Sequence, residues 1–228
     1  MSKKQLEKEI EIKVVLLGES GVGKSSIIIR YANDMFAQIN LTTILCSNTT
    51  KTISLNNNKD TIKYNIWDTA GQEKYKSITK FHYQDADVII LVFDITSLES
   101  FEQIRNYWYP QIQENAPQNS ITALVASKCD LKDEYNVDID EVASYAKQID
   151  AIFQETSAKD SFGINELFEE IGNKILSIDN FKDMIYKRNK TLLTDFSTDE
   201  DENSVKSTKT GQLRTGNDKK HKSKKKCC

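Results

Sequence analysis

The octapeptide GESGVGKS, Gly18–Ser25, stands between an unbroken apolar run, IKVVLLG (12–18), and a helix-forming stretch, GKSSIIIRYAND (23–34). It fits G-x-x-x-x-G-K-[ST], and a strand before with a helix after is the setting that separates this pattern from a chance glycine-rich turn. Glycines let successive backbone N–H groups curl around phosphate oxygens, and the helix N-terminus adds partial positive charge. In that arrangement Gly18, Ser20, Gly21, Val22 and Gly23 line the loop, Lys24 reaches the β- and γ-phosphates, the Ser25 hydroxyl binds Mg²⁺, and Ser26 continues the contact into the helix. Strand, loop and helix together are the first unit of an α/β fold built around a phosphate site.

The rest of the chain repeats the alternation. TKTISL and TIKYNIW flank the turn-rich NNNKD and predict a hairpin. DVIILVFD (87–94) and ITALVAS (121–127) are short continuous apolar runs, as expected of strands covered on both faces. Between them SFEQIRNYWYPQIQENA has helical spacing, with Ser100 and Gln103 placed as a capping box; Asp138 and Glu141 open DIDEVASYAKQI in the same way. AIFQETS and INELFEEIGNKILSI add a last strand and helix. The expected fold is a six-stranded, mostly parallel sheet with one antiparallel edge strand and helices on both faces. Residues 1–10 read as a short extension, 11–178 as the folded domain, and 179–228 as a polar tail too poor in apolar residues to fold.

Charge narrows the function. The net charge of −3 conceals six lysines at 219–228, which leave 25 basic against 34 acidic residues, or −9, in the remainder. An acidic body with a basic tip argues against nucleic acid as a partner, which calls for a broad basic face; it suits attraction to an anionic membrane. Cys46 and Cys129 are isolated and no zinc-type spacing occurs, so a reducing compartment is expected. The first residues lack a signal-peptide pattern, Ser2 excludes N-myristoylation, and no apolar run approaches the roughly 18 residues of a membrane span. Membrane contact is therefore expected from the tail.

Three further motifs refine the phosphate site. In WDTAGQE (67–73), Asp68 ends a strand where it can hold Mg²⁺ through water, Gly71 can offer its N–H to a γ-phosphate, and Gln72 can orient an attacking water. SKCD (127–130) and ETSAK (155–159) each follow a strand. Asp130 is an acceptor suited to guanine's N1–H and N2 amino group, the stem of Lys128 can cover the base, and the Ala158 N–H can meet O6 and repel adenine's amino group. Ser127, Ser157 and Lys159 complete these two loops.

With these four motifs in this order, residues 11–178 resemble a small GTPase of the Ras superfamily, and specifically the Rab family, a P-loop G domain. The resemblance implies GTP and GDP as ligands, Mg²⁺ held by Ser25, Thr43 and Asp68, and slow hydrolysis in which Lys24 and Gln72 are the catalytic residues. It adds Phe36, twelve residues after Lys24, as an aromatic edge beside the guanine, and Thr43 in TTI as the switch residue that senses the γ-phosphate. It also implies an exchange factor, an activating protein, a GDP-dissociation inhibitor, an escort protein and effectors. The implied site of action is the cytosolic face of vesicle or endosomal membranes, with a soluble pool. The SLESFEQIRNYWYPQI and ITALVASKCDL stretches resemble the endocytic branch. Cys227-Cys228 resembles the Rab geranylgeranylation signal; two chains at ~0.8 kcal/mol per buried CH₂ hold firmly where one is marginal.

Three positions depart from the family pattern. Ser127 stands where Asn is usual, so a bond to the base or to the phosphate loop is expected to be lost, at roughly 0.5–1.5 kcal/mol. Leu45 and Asn48 replace a glycine and an aromatic after Thr43-Ile44, and His82 replaces an aromatic in FHYQDA. The Asn48/Trp67/His82 triad is therefore more polar than the one family effectors read. Two rival readings are a hydrolysis-poor scaffold, disfavoured by Gln72 and Thr43, and an ATP-using P-loop kinase, disfavoured by SKCD with ETSAK.

Overall fold

The computed structural model describes residues 9–36, 47–56, 60–69, 81–179 and 181. Contact density divides the chain into Met1–Asn189 and Lys190–Cys228, and the second unit lies wholly outside the described residues. Among them, six strands form one sheet: β1 (Glu9–Leu17), β2 (Ser47–Leu55), β3 (Asp60–Asp68), β4 (Val88–Asp94), β5 (Ile121–Ser127) and β6 (Ile152–Thr156), in the order β2-β3-β1-β4-β5-β6. Every pairing is parallel except β2 with β3, so the hairpin does supply an antiparallel edge. Both hairpin strands run longer than their apolar patterns, because β2 is an edge strand whose alternate residues stay exposed and need no apolar run.

The central strands are apolar throughout because both their faces are covered. Along β1 and β4, Val14, Leu16, Val88, Ile90 and Val92 face one layer, while Val15, Leu17, Ile89, Leu91 and Phe93 face the other. On the first face lie α1 (Lys24–Asn33) and the last helix, Ile164–Ser177. Tyr31 of α1 stacks on Phe168 of that last helix at 3.7 Å, and the Tyr64 hydroxyl donates to the Phe168 carbonyl at 2.8 Å. On the second face lie α2 (Leu98–Gln103), α3 (Tyr109–Asn115) and α4 (Ile139–Gln148), through Phe101, Ile104, Trp108, Ile112, Val142 and Ala146. The last helix is α5.

Two helix starts differ in an instructive way. The cap of α2 is Ser97, whose hydroxyl accepts from the Ser100 N–H, so the expected Ser100/Gln103 box is corrected. Ser100 lies inside the helix and turns its hydroxyl back to the carbonyls of Asp94 and Ser97. Asp138 does cap α4, accepting from the Asp140 N–H at 2.9 Å. The single helix expected between β4 and β5 is interrupted by a π turn at Ile104–Trp108, closed by the Tyr109 N–H on the Ile104 carbonyl. Pro110 explains it: the ring lacks an N–H and crowds the preceding turn, which widens to accommodate it.

Phe168 is the pin of the first layer, touching both Tyr31 and Tyr64. Phe168→Ala should cost about 3–5 kcal/mol, read as a lower denaturant midpoint with an unchanged slope. A loss below ~1 kcal/mol would mean that α5 is held by something else.

Candidate active site

Because β3, β1, β4, β5 and β6 are parallel, their carboxyl ends share one edge of the sheet, and that edge collects the described motif residues. The chain order reverses between β1 and β4, the place where open α/β sheets leave a crevice. β1 delivers the chain to Gly18, with φ of 143°, where a Cβ would sit 2.1 Å from the Val92 carbonyl oxygen. Only glycine lets the loop pass this close to β4. Gly23, with φ of 102°, opens α1 with no side chain capping it, which leaves the first-turn N–H groups directed at the loop.

Lys24 is 5% exposed, and its ammonium donates to the carbonyls of Gly18 (2.9 Å) and Glu19 (2.7 Å). Burial pulls its pKa down to about 8, against the opposing pull of Asp68 and Glu19. The cation is thus under-compensated by the protein, which fits a polyphosphate partner. The Ser25 hydroxyl donates to Asp68 Oδ2 at 2.6 Å, bringing two hard oxygen donors from α1 and β3 together, as a Mg²⁺ site requires. Thr69 anchors the exit of β3 by donating to the Leu16 carbonyl at 2.6 Å. No cluster of His, Cys, Asp or Glu capable of holding a metal on its own exists among the described residues.

The loops after β5 and β6, where the sequence motifs place the base contacts, lie on the same edge of the sheet. Asp130 is held by the Ser157 hydroxyl at 2.8 Å and by Lys159 at 3.6 Å, which orient the carboxylate. Lys128 adopts φ of 62° and ties its ammonium to Asp94 Oδ2 at the end of β4, laying its stem across the crevice edge. Cys129 is buried between them, and desolvation pushes its thiol up to about 11, so it stays protonated. The Ser157 hydroxyl also accepts from the Asp160 N–H, closing the turn that presents Ala158. Phe36 is 40% exposed just beyond the end of α1.

Ser127 corrects the phosphate-loop half of one expectation. Its hydroxyl reaches the Val22 carbonyl of the phosphate loop and the Phe93 carbonyl at the end of β4, the latter at 2.7 Å, so the tie to the loop persists without Asn. The sequence reading also passed over three positioning contacts. The Trp108 indole N–H donates to Glu19 Oε1 at 3.0 Å, Asp94 holds Lys128, and Arg30 binds the ETSAK loop. Each joins residues far apart in sequence and leaves no local signal. Asn48 lies opposite Trp67 across the hairpin, and Trp67 and His82 sit ring against ring at 5.6 Å, so the three polar-triad positions do converge. Thr43, Leu45, Cys46, Gly71, Gln72, Cys227 and Cys228 lie outside the described residues.

Ser127→Ala removes the donor that both buried carbonyls share. We expect a destabilisation of about 1–3 kcal/mol and faster release of a fluorescent GDP analogue. Release at the wild-type rate would show that this tie does not hold the phosphate loop.

Comparison with known proteins agrees with this geometry. The Ras family model matches residues 13–177. Human Ras-related protein Rab-22A is 43% identical over 169 residues, covering 74% of this chain and 86% of the relative. Human Ras-related protein Rab-31 is 40% identical over 169 residues, with 74% and 85% coverage. Mouse Rab-31 is 41% identical over 165 residues, with 72% and 83% coverage. The chain belongs to the Rab small GTPases of the Ras family, guanine-nucleotide switches that hydrolyse GTP and act in vesicle traffic.

Proposed function

We propose that the residues gathered at the carboxyl edge of the sheet carry this chain's GTP cycle, each in the role its motif assigns. The observation that carries the reading is the 2.6 Å approach of the Ser25 hydroxyl to Asp68 beside the buried Lys24 ammonium. Lys24 binds the β- and γ-phosphates and counters the negative charge that develops in transfer. Gln72 holds the attacking water in line, and Thr43 and Gly71 contact the γ-phosphate, so both loops are released when it leaves. Ser25, Thr43 and Asp68 would hold Mg²⁺, which when bound supplies charge neutralisation between the phosphates. Main-chain groups of Gly18, Ser20, Gly21, Val22 and Gly23, with Ser26, complete the phosphate cradle. Ser127, Lys128, Asp130, Ser157, Ala158, Lys159 and Phe36 surround the guanine.

Exchange factors, activating proteins, a GDP-dissociation inhibitor and effectors are partners of the family as a whole. For this chain the motifs place no arginine as an internal finger, so the intrinsic reaction is slow and an activating protein lends one. Residues 11–178 form the G domain, and 179–228 form a tether. Geranylgeranyl groups on Cys227 and Cys228, delivered with the escort protein, attach it to the cytosolic face of endocytic membranes. A cytosolic pool is held by the dissociation inhibitor. The acidic TDEDE at 198–202 keeps the middle of the tether off the anionic surface that attracts the lysines.

In single-turnover assays Gln72→Leu should slow hydrolysis on the order of 10–100-fold while GTP binding is retained. Fast turnover without a partner, insensitive to this change, would reject the mechanism. Intact-mass measurement of protein from its native cell should show two prenyl additions on the Cys227-Cys228 pair; unmodified thiols would reject the anchor.

A further inference from the structure

Arg30 lies on the last turn of α1, one helix length from the phosphate site, and its guanidinium makes four bonds in two directions. Nε donates to the Ala158 carbonyl at 2.7 Å, and one terminal nitrogen donates to the Lys159 carbonyl at 3.2 Å. The other terminal nitrogen donates to the Asp34 carbonyl at 2.9 Å and to Asp34 Oδ1 at 3.0 Å. The first pair fixes two successive peptide groups of the loop that presents the Ala158 N–H. The second fixes the turn where α1 ends, in which Asp34 takes the left-handed conformation with φ of 53° and hands the chain to Met35 and Phe36.

We propose that Arg30 is a positioning residue for guanine recognition, clamping the Ala158 loop to the turn that carries Phe36. The inference rests on reading Ala158 and Phe36 as two walls of the base pocket. A planar fork with five donors suits the task, because several acceptors must be met at fixed angles at once. The side chain is only 14% exposed and its bond to the Ala158 carbonyl is partly buried, whereas the bonds to Asp34 and Lys159 face solvent. Asp34 is largely exposed, and the bonds of Arg30 go to Ala158, Lys159 and Asp34, so its effect on the base is transmitted through the two segments it holds. The arrangement also links the two ends of α1. Its first turn carries Lys24 and Ser25, and its last turn carries Arg30 and leads into the Asp34 turn before Phe36.

The test compares GDP, IDP and ADP binding to wild-type protein, Arg30→Met and Arg30→Lys, with thermal unfolding recorded alongside. GDP and IDP both present the O6 that the Ala158 N–H faces, and ADP does not. Arg30→Met should weaken GDP and IDP about tenfold and ADP by clearly less, since the Phe36 wall meets any purine and the Ala158 N–H only an O6, so that the preference for guanine shrinks. Arg30→Lys should fall between the two, since one ammonium cannot span both segments. An equal loss for all three nucleotides, or a lower unfolding temperature with an unchanged preference, would overturn the proposal. Should Arg30→Met fail to fold, a wild-type preference in Arg30→Lys would overturn it as well. Wild-type protein without preference for guanosine over adenosine nucleotides would be a different failure, that of the pocket itself.

Discussion

An ammonium group held almost out of water is the constraint on which the rest of this site depends. Desolvation of Lys24 outweighs the attraction of Asp68 and Glu19, and the protein compensates with carbonyl oxygens rather than a close salt bridge. Such a cation is costly to maintain unless an anion completes it. The loop geometry follows from this demand. Gly18 must pass within reach of the Val92 carbonyl for its own carbonyl to meet Nζ, and the bare N-terminus of α1 adds donors to the same point. A core buried on both faces of the sheet keeps β1 and β4 rigid enough to hold that approach.

The loop is not held by β1 alone. Ser127 at the end of β5 ties it through Val22, and the Trp108 indole holds Glu19, whose carbonyl in turn accepts from Lys24. Trp108 is the last residue of the π turn that Pro110 forces on the helix between β4 and β5. A local irregularity therefore ends on a residue that touches the phosphate loop, a common setting for π turns. The base side is organised by the same device, with Asp94 holding Lys128 and Ser157 holding Asp130. Side-chain ties between strand ends link the phosphate loop to the loops after β5 and β6.

The six-stranded, mostly parallel sheet, its antiparallel edge and the phosphate loop were legible in the sequence because each rests on local pattern. Continuous apolar runs mark doubly covered strands, and a glycine-rich turn between strand and helix marks an anion site. What was not legible depends on residues distant in the chain. The Ser100/Gln103 spacing fits a capping box, and only the end of β4 at Asp94 overrides it by engaging the Ser100 hydroxyl. Nothing near Arg30 announces that it reaches residues 158 and 159, and nothing near Ser127 shows two carbonyls converging on its hydroxyl. Reading Ser127 as a lost bond compared side-chain lengths without the carbonyl positions, which only the packed strands supply.

The same logic governs the outer face of the hairpin. Asn48, Trp67 and His82 adjoin, and Lys13 lies 5.2 Å above the Trp67 ring while paired with Asp85. Burial, then the nearby Lys13, lower the His82 pKa against the opposing pull of Asp85, so the imidazole is predominantly neutral at pH 7. This surface offers an indole edged by a carboxamide, a neutral imidazole and a pinned ion pair. A partner that buried it with apolar groups alone would leave those donors and acceptors unmet, at about 1–3 kcal/mol for each group. A partner that docked on this surface would have to return hydrogen bonds around the indole, which three aromatic rings would not demand.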